Sequence, residues 1–220
     1  MRKLIASTFV TLDGIMQAPG GPEEDPTGGF TEGGWSFSYW DDTMNQVMAA
    51  RMSQPFDLLL GRKTYEIFEA HWPHAGDNPV TSLFNKATKY VASRTLKRLD
   101  WVNSKLIEGD VTTEVARLKA GEGIDLQIHG SSMLLQTLIG AQLIDEYRLW
   151  IFPLVLGHGK RLFENGAAPQ GLSLADTKTS STGVLLNTFR PAGAVKSGSF
   201  AHQTPNDAEL ARRKKMASEG

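Results

Sequence analysis

Apolar positions along the chain change period several times, and each change marks an element. Lys3 to Leu12 is dense in β-branched and apolar residues and stops at the turn pair Asp13-Gly14, which predicts a strand. Gly14 to Tyr39 has no period. It is rich in Gly, Pro and acids, with aromatics at Phe30, Trp35, Phe37 and Tyr39, and a loop that long inside a compact domain is more often functional than idle. Met44, Val47, Met48 and Met52 then repeat at helical spacing behind Asp41 or Asp42 as N-cap. From there strand and helix alternate. Phe56 to Gly61 is a short buried strand that runs into a helix with Arg62, Lys63 and Thr64 in its first turn. Lys89 to Ser93 and Val102 to Glu108 are further strands, the second leading into a helix capped by Asp110 with Val111, Val115 and Leu118 inward. Asp125 to His129 is again a strand, and Gly130 opens a helix with Leu134, Leu135, Leu138 and Ile139 on one face, ending at Gly140. This alternation predicts an α/β domain with a mainly parallel sheet covered on both sides.

Beyond Ile144 the pattern changes. Glu146 to Phe152 reads as a strand with Tyr147, Leu149 and Ile151 on one face and Arg148, Trp150 and Phe152 on the other. Both faces carry large apolar groups, so the side turned away from the domain needs a helix, the following hairpin or a second subunit to cover it. Leu172 to Ser180 and Val184 to Arg190 predict an antiparallel hairpin turning at Ser181-Thr182-Gly183. The apolar pattern fades from Ala192. One domain (1–192) and a polar tail (193–220) are expected, and the tail's run Arg212-Arg213-Lys214-Lys215 reads as a solvated helix or a disordered end.

Charge and composition exclude several classes. The chain has 220 residues, with 23 Lys plus Arg against 24 Asp plus Glu, so it lacks the basic excess of a nucleic-acid binder. It has no cysteine, which removes disulfides, thiolate metal sites and cysteine nucleophiles. No apolar run reaches the ~18 residues of a membrane span and no signal-peptide core precedes the first strand. The expectation is a soluble, cytoplasmic protein with a small-molecule substrate and no nucleic-acid or membrane partner.

Ligands of open α/β sheets bind beyond the carboxyl ends of the parallel strands, and three such exits here suit an anion. Gly61-Arg62-Lys63-Thr64 places two cations on a helix N-terminus, where positive charge is unfavourable unless an anion binds there. Ser93-Arg94-Thr95 offers two hydroxyls and a guanidinium. Gly130-Ser131-Ser132 lets a ligand approach the backbone, with the serines as caps and donors. Each exit alone could be a polar turn or an ordinary cap; together they suit an extended polyanion such as a dinucleotide. A Walker pattern fails because Leu154 and Arg161 stand at required positions, and Gly157-His158-Gly159 lacks a third glycine. His71 and His74 flank Pro73 and read as surface residues, with no metal site.

The segments TLDG, LLLGRKTYE, KYVASRTL, IHGSSMLLQTL and LIDEYRLWIFPLVLGHGKRLF together resemble the dihydrofolate reductase-like superfamily. They look most like the branch that includes the reductase domain of bacterial riboflavin biosynthesis. The resemblance runs from Arg2 to Arg190. It implies a three-layer α/β/α fold, an NADPH cofactor and a homodimer. Position by position, Gly61, Arg62, Lys63 and Thr64 match the segment that holds the cofactor phosphates. Ser93 and Arg94 match the segment that meets the adenosine 2′-phosphate, and Gly130, Ser131, Ser132 and Met133 match the helix start that takes the pyrophosphate. Ile67 and Phe68 match positions lining the substrate cleft. Asp13 and Asp41 are the candidate proton donors; either could equally be a turn residue or a helix cap.

The expected activity is hydride transfer from NADPH to a small pteridine- or aminopyrimidine-like heterocycle. The alternative is a non-catalytic nucleotide-binding or dimeric partner module that keeps the cofactor cleft. The Gly-rich loop 20–34 has no counterpart in a folate pocket, so the substrate stays open.

Overall fold

The computed structural model describes residues 1–164, 167–200 and 204–219. Its strands are β1 (Leu4–Thr11), β2 (Asp57–Gly61), β3 (Lys89–Ala92), β4 (Ser104–Ile107), β5 (Leu126–His129), β6 (Glu146–Phe152), β7 (Leu172–Thr179) and β8 (Leu185–Pro191). They form one sheet in the order β4-β3-β2-β5-β1-β6-β8-β7. Every neighbouring pair from β4 to β6 is parallel, and β6, β8 and β7 are antiparallel. The change follows from the connections. A crossover must return the chain to the same end of the sheet, whereas the tight turn between β7 and β8 reverses it.

The helices are α1 (Asp42–Met52), α2 (Arg62–His71), α3 (Pro79–Lys86), α4 (Val111–Ala120), α5 (Ser132–Gly140) and α6 (Asp207–Ser218). Strand alternation sorts the core. Leu4, Ala6, Leu59, Tyr147 and Leu149 pack with Val115 of α4 and with Leu135 and Leu138 of α5 on one face. Trp150 and Phe152 pack on the other face with Met44 of α1. Beside them Phe56, Leu58 and Leu60 pack with Tyr65 of α2 and Phe84 of α3.

Two features differ from the sequence-based expectation, and two more decide between alternatives it left open. The long segment after β1 is ordered: it holds single 3-10 turns at Thr27–Gly29 and Phe37–Tyr39 and buries Ile15, Ala18, Phe30 and Trp35. Its backbone polar groups are met from within, Trp35 Nε1 donating to the Gln17 carbonyl at 2.8 Å and Gln17 Nε2 to those of Asp25 and Thr27 at 2.9 and 2.8 Å. Second, α3 was not anticipated, although Asn78 caps it through the Thr81 N–H at 2.9 Å and Pro79 starts it. Third, both faces of β6 are covered within the chain, so the apolar surface left over lies on the hairpin instead, where Leu172, Leu174 and Leu185 are 37%, 54% and 38% exposed. Fourth, the basic run sits on α6, capped by Asn206 and without a buried residue.

Candidate active site

A cleft of about 1180 Å³ opens at the carboxyl ends of β2 to β5 and runs inward over β1 and β6 between α1 and α2. Gly61 to Thr64, Ser93, Arg94, Gly130 to Met133, Ile67 and Phe68 all line it.

The outer end is assembled from strand exits sewn to one another. Gly130 and Ser131 take φ of +63° and +55°, the left-handed region that glycine tolerates and serine enters only when held. Ser131 is held twice: its N–H donates to Thr64 Oγ1 at 2.9 Å, and its Oγ accepts the Gly61 N–H at 3.0 Å. Ser131 therefore does not cap α5, as its sequence position suggested; its hydroxyl ties the β5 exit to the β2 exit. A side chain at Gly130 would stand 3.4 Å from Thr64 Oγ1. The consequence is that neither α2 nor α5 has a side-chain cap, and the first-turn N–H groups of both helices are left for a ligand. The third helix on the cleft contrasts with them. Asp110 caps α4 through the Thr113 N–H at 2.9 Å, and bonds from Thr112 and Thr113 pull its carboxyl down to about 2.

The cations at this end differ in availability. Arg62 is paired with Glu66 at 3.0 Å on the exposed side of α2. Lys63 Nζ donates to Thr27 Oγ1 at 3.2 Å, which ties the long segment to α2. Ser93 Oγ accepts the N–H groups of Thr95 and Leu96 at 3.1 and 3.0 Å. That turn presents Arg94, which has no side-chain partner among the described residues and is exposed. The bare helix starts, the glycine at close approach and the free Arg94 fit a dinucleotide phosphate chain.

The inner end is aromatic. Phe9 stacks on Trp150 at 5.0 Å and Trp40 lies 5.5 Å from Trp150. Across the cleft Trp72 stacks on Phe84 at 4.2 Å, with Phe68 beside them. Arg51 reaches in from α1, its guanidinium 5.6 Å from the Trp150 ring centre. Burial, with Arg148 nearby, lowers its pKa to about 10, so it stays charged at neutral pH. His129 is enclosed between Phe56 and Phe84. Burial first, then the Arg148 and Arg51 charges, lower it to about 4. It is a neutral imidazole at pH 7 and no proton source.

The two acids nominated from sequence are not among the lining residues. Asp13 is partly buried, but bonds from the Thr11 hydroxyl and the Gly157 and Leu156 N–H groups outweigh that and hold its pKa below the ordinary value; the Gly157 N–H lies at 2.8 Å and Arg161 at 3.9 Å. Asp41 caps α1 through the Met44 N–H at 2.8 Å and accepts the Ser181 N–H and hydroxyl at 2.6 and 2.7 Å, and these donors lower its pKa. Both carboxylates are clamps between the long segment's ends and later parts of the chain. The acids that do line the cleft are Glu24, Asp25 and Asp110. Asp25 is paired with Lys160. Glu24 accepts the Gly20 N–H at 2.6 Å, and burial raises its pKa.

Sequence reading missed Trp40, Arg51, Trp72, Phe84 and Trp150 as cleft residues. One signal was available: Arg51 falls on the stripe of Met44, Val47 and Met48, so the helical period already turned a cation inward.

A sheet of this order with an antiparallel C-terminal hairpin and helices on both faces is the dihydrofolate reductase-like α/β fold. Among solved structures, dihydrofolate reductase from Enterococcus faecalis, complexed with NADP(H), superposes with a TM-score of 0.53 at 16% identity, over 86% of this chain and 96% of that one. A Shewanella sp. PV-4 protein assigned by its name to riboflavin biosynthesis gives 0.66 at 19% identity, over 87% and 99%. The family model for the RibD C-terminal domain matches residues 2–186, and the chain belongs to that family. The uncharacterized protein YyaP of Bacillus subtilis (strain 168) is 32% identical over 196 residues, 84% of this chain and 92% of YyaP.

Proposed function

We propose that this protein is an NADPH-dependent reductase that passes a hydride to a small planar heterocycle. The observation that carries the reading is a single cleft whose outer end offers two bare helix N-termini and a free arginine, and whose inner end is walled by aromatic rings on two sides. Bound NADPH would supply the hydride, which adds to an electron-poor C=N or C=O carbon while a proton goes to the heteroatom.

The chain's own work is binding and positioning. Helices α2 and α5 take the pyrophosphate on their first-turn N–H groups, with Lys63 beside them. Arg94, presented by the Ser93 turn, meets the 2′-phosphate. The aromatic walls would hold the acceptor ring between them, with water reaching it from the open mouth. Asp13 and Asp41, bonded elsewhere, hold the long segment in place, and the proton comes from solvent at the open mouth. Membership of the RibD C-terminal domain family supports this reading, as does the fold shared with a dihydrofolate reductase bound to NADP(H).

Calorimetry tests it. NADPH is expected to bind more tightly than NADH, and Arg94→Ala should remove ~1.5–3 kcal/mol from NADPH binding alone, the value of one charge-assisted contact. Equal weakening of both cofactors would overturn the 2′-phosphate assignment, and no NADPH binding would overturn the reading.

We also infer a homodimer, with the exposed leucines of β7 and β8 as its contact. Light scattering should report twice the 24.1 kDa chain mass, reverting to one with Leu174→Asp. A wild-type monomer at every concentration would refute it.

A further inference from the structure

A second cavity, of about 810 Å³, lies on the other flank of α1, over the amino ends of β1, β5 and β6. Lys3 and Asp125 sit together at its edge, the Lys3 N–H donating to Asp125 Oδ1 at 2.8 Å. The rest of its charge is uneven, for Arg51, Arg148, Lys178 and Arg190 line it against Glu146 and Asp176. Glu146 is 4% exposed and both its oxygens are engaged, one by Arg148 Nε at 2.8 Å and the other by Arg190 Nε at 3.2 Å. Burial alone would raise its pKa; the two guanidiniums outweigh that and hold it below the ordinary value. Each arginine is bound through Nε only, so the terminal nitrogens of both have no protein partner among the described residues. The floor adds neutral donors. Gln127 and Thr188 are 5% and 8% exposed. Neither the Gln127 amide nitrogen nor the Thr188 hydroxyl has a partner among the described residues, yet neither atom is sealed from solvent. Strand register sets Thr188 directly opposite Arg148 on one side and Asp176 on the other.

We propose that this groove is a second ligand site, separate from the cofactor cleft, for a small dianion of the phosphate monoester or dicarboxylate kind. A purely structural ion-pair cluster balances its charges and satisfies its donors, because buried charge without a partner and buried polar groups left unmet both cost stability. Here four cations against two acids leave a surplus of two positive charges, and donors from β5, β6 and β8 line one floor without acceptors. A dianion answers both. Its oxygens accept from the forked terminal nitrogens of Arg148 and Arg190, a geometry that suits carboxylate and phosphate alike, and from the Thr188 hydroxyl and the Gln127 amide. Its two charges offset the surplus, with Lys178 at the rim. A cation would meet guanidiniums, and a monoanion would leave one charge unmatched. The groove stands at the amino ends of the parallel strands, at the opposite end of the sheet from the exits at Gly61, Ser93 and Gly130. It is therefore not an extension of the phosphate end of the cleft.

The test is a calorimetric titration of the full chain at fixed ionic strength, so that screening stays constant, with glycerol 3-phosphate, succinate and acetate as probes. One of the two dianions should bind at least ~10-fold more tightly than acetate; which one it is separates a phosphorylated from a dicarboxylate source, and either supports the proposal. Lys178→Met and Thr188→Val, neither of which breaks a protein hydrogen bond, should each weaken the dianion by ~5-fold. Asp176→Asn, which removes an exposed negative charge from the same groove, should tighten it by a similar factor. A cluster that only holds the fold together predicts no change in any of the three. Absence of saturable binding below ~1 mM, acetate binding as well as the dianions, or indifference to all three substitutions would overturn the proposal. Repeating the titration with NADPH present locates the ion: competition would place it in the cleft and sink the groove site. If the chain takes no NADPH, the reductase reading falls, while the groove is still judged by its own substitutions.

Discussion

The outer and inner ends of the cleft are built by different means. At the outer end the working groups are backbone N–H groups at two helix starts, placed by Gly61, Gly130 and Ser131, and the side chains that matter stay near the surface: Met133 is 73% exposed. At the inner end the working groups are side chains that belong to the hydrophobic core as well. Trp150 lines the cleft and is 1% exposed. The lesson is that exposed side chains at the outer end, such as Met133, can change with little cost to the fold, whereas the rings that wall the inner end also carry its stability.

The largest effect should come from the inner end. Trp150→Ala removes a ring packed on Phe9, Trp40 and Phe152's cluster and should cost ~3–5 kcal/mol, against less than about 0.5 kcal/mol for Met133→Ala at the outer end. Urea melts measure both, and similar costs would erase the contrast.

Acid should act through the same end. The folded pKa of His129 lies below its unfolded value, so the unfolded chain binds the extra proton between about 6.5 and about 4. The contribution of neutral His129 is intact above that window and is lost as pH falls through it, by at most about 3 kcal/mol for such a shift. His129→Gln should flatten the stability profile between pH 6.5 and 4; an unchanged slope would assign acid sensitivity elsewhere.

Ser131→Ala probes the outer end where it is most structural. Losing the acceptor for the Gly61 N–H should cost ~1–3 kcal/mol and, by loosening the two helix starts, weaken NADPH more than any ring ligand. Ring binding that weakens equally would mean the ends are not separable.

The order of the elements, the parallel sheet with its terminal hairpin and the three strand exits were legible because each depends on neighbours in sequence. A strand leaving through Gly-Arg-Lys-Thr starts its helix at a glycine with no side chain to cap it, whereas the bare start after Gly-Ser-Ser exists because Ser131 bonds the distant Gly61 N–H instead of its own helix. Helical spacing equally revealed which side of α1 is apolar. That Asp13 and Asp41 are not among the cleft's lining residues has the opposite reason. Whether Asp13 or Asp41 faces the cleft is decided by partners such as Gly157 and Ser181, more than a hundred residues away, and an aspartate ending a strand or starting a helix looks the same with or without them. The inner wall was hidden because Phe9, Trp40, Arg51, Trp72, Phe84 and Trp150 share the periods of ordinary core residues. Only the packing of α1, α2 and α3 on one sheet face leaves a gap between them, and the gap, not any local pattern, makes those residues a site.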